Sequence, residues 1–359
     1  MKHTKIEWAH HTVNFWWGCT KVSEACAHCY AETLAKLFSR GKATWGATGA
    51  RWLRHQRAAE ELMKLDASAR KRGVRERVFI NSMSDTFEDR ADLNAARELL
   101  WICCCCVPSL DVLLLTKRPE NVMRMVPAEW GERWPANVWI GTTVENQAMA
   151  DLRIPALLQV PAVVRFLSCE PLLGPVDLTR IDTTSDSDPG FSALELRDGD
   201  EGTIEGTIGW IICGGESGGN ARPMAYAWAS SLRDQCRAAG VPFFFKQWGE
   251  FVPMPGNMPG KLTTVTGAGR KRRWQQNGDE IAVRIGKKEA GRMFDGVEWN
   301  QVPAAAALTG KQEPGELIGA GLCDLCGENA PQLRVFNCAP AVGLCYCPKC
   351  VPTSENTPR

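Results

Sequence analysis

Short apolar runs rich in β-branched and aromatic residues recur along the chain, and each ends in a polar, Gly-rich or acidic cluster. They occupy residues 12–17, 78–81, 112–115, 138–141, 163–167, 210–213 and 243–245. The segments that follow them are, in order, GCTKVSEACAHCY, SMSDTFED, TKRPEN, TTVEN, SCEPLLG, GGESGG and KQWGE. Helical patterns run between several of these, at 53–71, 93–104 and 227–239. Strands that are apolar throughout and alternate with helices predict a parallel sheet covered on both faces. Seven such units predict an α/β fold of the full or partial parallel β/α barrel type, with a doubly wound open sheet as the alternative. In a barrel the loops after the strands build the site. Those loops hold nearly all the polar clusters just quoted.

Four further segments follow from composition. Residues 1–253 carry the barrel pattern, interrupted at 181–207 by an insertion with eight acidic residues and Arg197 as its single base. Such a stretch reads as solvated surface. Residues 254–303 form a basic extension of the barrel domain, and 261–292 hold nine Lys or Arg against three acids, a net charge of +6. Residues 304–320 read as a linker, and 321–359 as a small cysteine-rich module. In bulk, 42 basic residues balance 41 acidic ones, so no overall charge selects nucleic acid or a membrane. The 44% hydrophobic and 23% charged content is that of a globular chain. No apolar run approaches the ~20 residues of a membrane span, and MKHTKIEWAHHTV lacks the apolar core of a signal peptide. The expected location is cytoplasmic, with no membrane partner.

Sixteen cysteines are unusual for such a chain, and in a reducing compartment they call for an explanation other than disulfides. Cys19, Cys26 and Cys29 fall within one loop, directly after the first strand. Three thiolates that close in sequence can converge on a metal. The readings are buried small side chains, a zinc site completed by His10, His11 or His28, or an iron–sulfur cluster whose fourth iron is left open for a ligand. The run of four cysteines at 103–106 cannot face one metal, because consecutive helical residues point in different directions. These read as buried apolar side chains.

A three-cysteine loop after the first strand of a parallel β/α barrel, with an aromatic beside the last Cys, resembles the radical S-adenosylmethionine (SAM) superfamily. More narrowly, WGCTKVSEACAHCYAE, VFINSMSDTFE, LLLTKRPEN, WIGTTVEN, FLSCEPLLG, IICGGESG and FFKQWGE resemble, in that order, a phage-associated three-Cys-motif family of unsettled activity. The likeness extends to about Pro303. The spacer of six residues between Cys19 and Cys26 departs from the usual C-x3-C-x2-C pattern, and His28 stands where the superfamily has an aromatic. The resemblance implies a [4Fe–4S] cluster on Cys19, Cys26 and Cys29 and SAM bound at its open iron. One electron from the reduced cluster would release methionine and a 5′-deoxyadenosyl radical. An electron donor such as a flavodoxin or ferredoxin would be a partner, and a phage-encoded chain would work in the host cytoplasm. By position in the motifs, Ser82, Ser84 and Asp85 would meet the SAM amino group, and Thr142, Thr143 and Glu145 the ribose. Glu170 and Glu216, at the ends of the fifth and sixth strands, would bind polar parts of a ligand.

The last forty residues carry a different signal. Cys323 and Cys326 form one CxxC knuckle and Cys347 and Cys350 another, the spacing of a zinc ribbon holding structural Zn2+. Cys345, two residues before Cys347, is an alternative ligand, and a second cluster is the other reading. Arg270, Lys271, Arg272 and Arg273, followed by Trp274, read as a phosphate-contacting patch or as a solvated charged hairpin. Three functions of different kinds follow. The first is a radical SAM enzyme modifying a nucleobase or nucleotide, in phage DNA by the resemblance. The second is the same chemistry on a peptide or small molecule. The third is a non-catalytic zinc-dependent nucleic-acid-binding protein. A serine hydrolase is excluded despite Gly215-Glu216-Ser217-Gly218-Gly219, since the required His after the Ser is missing: all five His precede residue 56.

Overall fold

The computed structural model describes residues 4–182, 190–195, 207–254, 273–277, 280–304, 317–322, 329–336 and 344–346. Seven strands form one sheet: β1 (His11–Val13), β2 (Glu76–Ile80), β3 (Leu110–Thr116), β4 (Val138–Thr143), β5 (Arg165–Cys169), β6 (Trp210–Gly214) and β7 (Phe243–Gln247). They pair in sequence order, every pair parallel, and β1 and β7 stay at opposite edges. An order that never reverses is the winding of a barrel rather than of a doubly wound sheet. The sheet curls without closing, so the expected barrel is a half-barrel.

Strand alternation sorts the side chains to two faces. α1 (Tyr30–Phe38) stands at the cysteine loop, where its buried Ala31 and Ala35 join a small cluster of their own, whereas one face of the sheet packs under α2 (His55–Arg72), α3 (Asn94–Cys106), α4 (Gln147–Leu158) and α5 (Tyr226–Ala239). α2 shows why these segments are helical: Ala58, Ala59, Leu62, Leu65 and Ala69 recur at helical spacing and are all buried. It stops at Gly73, whose left-handed φ of 65° suits the C-cap. On the concave face Trp8, Phe79, Trp139, Phe166, Trp210 and Phe244 form a separate aromatic cluster, covered by the N-terminal segment instead of a helix. Gly141 is required there, since a Cβ would lie 2.5 Å from the Phe166 ring.

Three departures from the sequence pattern have local causes. The 12–17 run splits, because Asn14 turns aside to accept from the Met83 N–H at 2.8 Å. Trp16–Trp17 then pairs with Trp52–Leu53 in a separate two-stranded ribbon. The cysteine run closes α3, which extends to Cys106 beyond the 93–104 pattern, and Cys103, Cys104 and Cys106 are buried as expected. The acidic insertion is anchored at its start, with Ile181 bridging Phe191 and both buried. After β7, Phe251–Met254, Arg273–Asn277 and Glu280–Arg284 form an antiparallel sheet. Asn300 then bridges back to Phe244, tying the basic extension to the barrel edge.

At the end of the sheet remote from the strand-end loops, Glu76 Oε2 accepts from Arg72 at 2.7 Å and lies 3.0 Å from His11 Nε2. The Arg72 hydrogen bond and then that of His11 outweigh burial and hold the Glu76 carboxyl down at about 2, from an ordinary 4.5. A depressed carboxyl stabilises the fold above its unfolded value and loses that contribution as pH falls through its folded one. Glu76→Gln is therefore expected to cost about 1–3 kcal/mol at pH 7. The gap to the parent should shrink between pH 4.5 and pH 2, read from urea midpoints across that range.

Candidate active site at the C-terminal mouth of the sheet

The polar loops predicted to build the site do meet. A cavity of about 600 Å3 opens over the aromatic floor at the C-terminal ends of the strands, within the range of small-molecule sites. Cys19, Cys26 and Cys29 all line it. Each is half-buried and without a disulfide. Their loop hangs on arginines. Arg118 donates to the Thr20 carbonyl at 2.8 Å and to Asp85 at 2.8 Å. Arg51 donates to the Thr20 hydroxyl at 3.0 Å while paired to Glu88 at 2.6 Å.

The cysteines differ electrostatically. Burial, with Asp85 and Glu88 close by, pushes the Cys19 thiol up to about 12 against the opposing Arg118 guanidinium. At Cys26 burial also acts upward, but the Lys117 ammonium and hydrogen bonds from Val22 and Ser23 together bring the thiol below its ordinary value. Among the described residues no three His, Cys, Asp or Glu side chains converge on a point for a single ion. The loop thus brings the thiols to one cavity without gathering them at one point. A cube asks for less, because each thiolate binds a different iron. The donor set, the neighbouring cations and the space fit a cluster held by these three residues.

Alternation decides which strand-end residues reach the cavity. Thr143 and Glu170 line it, as do Ser82, Ser84, Asp85 and Glu216. Thr142 and Glu145 do not. Thr142 belongs to the opposite face of β4 and donates to the Thr116 carbonyl at 2.9 Å. Glu145 is fully buried beneath and paired to Arg153 at 2.7 Å. Asp85 is spent on structure, accepting from the Thr116 hydroxyl at 2.7 Å, the Phe87 N–H at 3.0 Å, the Lys117 N–H at 3.1 Å and Arg118. Ser84 donates to the Trp16 carbonyl at 2.9 Å. Glu170 accepts from Lys246 at 2.8 Å and Gln247 at 3.1 Å.

Sequence reasoning missed two features. Ser168 lines the cavity, and period two from the floor residue Phe166 was the available signal. The second is a clasp across the mouth: Glu216 Oε2 lies 3.2 Å from His28 Nδ1, and Arg222 bridges Glu216 at 2.7 Å to Glu24 at 3.1 Å. It joins the cysteine loop to the loop after β6. Nothing local in the sequence marks Arg222. Three residues of the lining also keep a buried polar atom without a protein partner, Trp8 Nε1, Trp17 Nε1 and Gln247 Oε1, a condition that a ligand relieves.

Cys323, Cys326, Cys347 and Cys350 lie outside the described residues, as do Arg270, Lys271 and Arg272. Arg273 opens the strand Arg273–Asn277. Around the predicted ribbon, Leu317–Leu322, Asn329–Phe336 and Leu344–Tyr346 form a three-stranded antiparallel sheet. No helix among the described residues is long and apolar enough to cross a membrane.

Fold and site together define a curled parallel β/α sheet with a thiol-lined, cation-bearing cavity at its C-terminal mouth. The chain belongs to the family described as "Protein of unknown function (DUF5131)", which matches residues 3–303. The match takes in the whole sheet, the cysteine loop and the basic extension, and it ends before the cysteine-rich module. No curated protein and no solved structure matches the chain.

Proposed function

We propose that the protein is a radical SAM enzyme that acts on a nucleobase or nucleotide. The observation that carries this is the placement of Cys19, Cys26 and Cys29 on one cavity at the C-terminal mouth of a sequentially wound parallel sheet. Those three thiolates would hold a [4Fe–4S] cluster, which, when bound with SAM, supplies one-electron reductive cleavage of the sulfonium. The chain's own residues do the rest. Lys117 sets positive charge beside Cys26, which favours the thiolate that metal binding requires, and Arg118 partly offsets the burial and the carboxylates that hold Cys19 protonated. The aromatic floor and the clasp of His28, Glu216 and Arg222 limit access of water. Thr143, Ser168 and the Glu170–Lys246 pair supply hydroxyl, carboxylate and ammonium groups to orient polar ligands. A flavodoxin or ferredoxin would deliver the electron, and Zn2+ would be held by the C-terminal knuckles.

The test is anaerobic reconstitution, with iron and sulfide analysis and assay for 5′-deoxyadenosine from SAM under reducing conditions. About four irons per chain in the barrel and reductant-dependent 5′-deoxyadenosine are expected. Stoichiometric zinc in the N-terminal loop, with no iron, would remove the enzyme reading. A chain ending near residue 310 should keep its iron and lose one zinc by metal analysis. Loss of iron from that truncation would mean that the tail cysteines help hold the cluster.

A further inference from the structure

A second cavity, of about 240 Å3, lies beside the open edge strand β1, lined by Thr12, Asn14, Arg54, Arg57, Ala58 and Glu61. Thr12 and Asn14 also line the main cavity, so the two spaces share that wall. The Arg54 guanidinium is held in place by aromatic faces, its carbon 5.5 Å from the Trp17 ring and 5.1 Å from the Trp52 ring. This fixes its plane without using its N–H groups. Arg54 is the N-cap of α2, Arg57 lies in its first turn, and both line the pocket. Neither guanidinium forms an ion pair among the described residues, although Glu61 stands in the lining. Two cations facing one polar pocket, with a single carboxylate in the lining, leave a net positive charge that no other group of the described lining neutralises. Burial and then repulsion from Arg57 depress the Arg54 pKa, with Glu61 opposing. A bound anion would relieve that repulsion.

We infer that Arg54 and Arg57 form a phosphate-binding pocket, which holds the phosphate of a nucleotide unit while the rest of that unit passes Thr12 and Asn14 into the thiol-lined cavity. Two guanidinium forks match the several acceptor oxygens of a phosphate better than the two of a carboxylate. The pocket suits a phosphate with part of a sugar, and the larger cavity beside it suits the base. The open edge of the half-barrel gives a route in from the side. This names the substrate class of the site proposed above and rests on that reading for the chemistry, but the binding needs neither cluster nor SAM.

The phosphate has two sources, a free nucleotide or a nucleic-acid backbone. Full-length, metal-free protein should be titrated with deoxyadenosine 5′-monophosphate by calorimetry and with a fluorescent single-stranded DNA by anisotropy, inorganic phosphate serving as competitor. The parent should bind at least one probe, and phosphate should compete. Arg57→Glu, at an exposed position with no ion pair among the described residues to lose, should weaken that binding about tenfold or more, and Arg54→Gln should do likewise. Arg124→Glu, on another surface, should leave it unchanged. A loss on the mononucleotide identifies free nucleotides as the source, and a loss on DNA alone identifies the backbone. Failure of the parent to bind either probe, equal affinity in Arg57→Glu, or an equal loss in Arg124→Glu would overturn the pocket. Phosphate binding that persists in protein unable to form 5′-deoxyadenosine would instead overturn the reaction and leave the pocket standing.

Discussion

Replacing Cys19, Cys26 or Cys29 by Ala is expected to abolish SAM cleavage, with a fall of at least about a thousandfold, and to reduce bound iron to background. A cube held by three thiolates has no spare protein ligand, so each removal opens a second iron and exposes it to solvent. Folding should survive, because none of the three thiols belongs to the main core cluster. The metal-free protein offers an independent readout. Cys19 is pushed up to about 12 by burial and by Asp85 and Glu88, whereas Cys26 sits below its ordinary value beside Lys117. At pH 8 the thiolate fraction is therefore far larger at Cys26, and alkylation by iodoacetamide should label Cys26 well before Cys19. Mass spectrometry of partially labelled protein checks the order. Equal labelling would mean that the two thiols do not stand in these different fields.

Gly249→Ala should be among the most destabilising single changes in the barrel, costing about 3 kcal/mol or more. Gly249 has a φ of +82°, and a Cβ there would lie 2.2 Å from the Glu216 carbonyl oxygen, a backbone atom that cannot swing aside. The same contact is close from the other side, with a Cβ on Gly215 falling 2.1 Å from the Trp248 carbonyl oxygen. These two loops are pressed backbone to backbone, which is what sets Glu216 opposite His28. The midpoint of thermal unfolding should fall by roughly 5–10 °C, and iron loading should fall with it as the clasp on the cysteine loop is displaced. Gly218→Ala separates the causes: its φ is +104°, but nothing lies within 4 Å of a Cβ, so only conformational strain remains. That variant should lose about 1–2 kcal/mol and keep its iron.

The order in which the strands pair came only with the fold; their number, their parallel sense and the end of the sheet at which chemistry collects were already legible in the chain. Each of these follows from local rules: apolar runs of strand length, helical periods between them, and polar clusters confined to the loops that follow. The cysteine loop was legible for the same reason, since Cys19, Cys26 and Cys29 are neighbours in the chain. What the tertiary structure alone decided depends on contacts between distant segments. The barrel stays open because β1 and β7 do not pair. Thr142 and Glu145 drop out of the cavity because alternation turns Thr142 to the helix side and Arg153 claims Glu145 in the core. Asp85, which the motif position suggested for a ligand, is instead consumed by Thr116, Lys117 and Arg118 from the next strand end. His28 meets Glu216 across a separation of 188 residues, and Arg54 reaches Trp17 only because Trp16–Trp17 pairs with Trp52–Leu53. Local hydrophobic pattern fixes which segments are strands and which loops are polar. Only the folded chain fixes which polar groups are already satisfied by one another, and therefore which are left to meet a ligand.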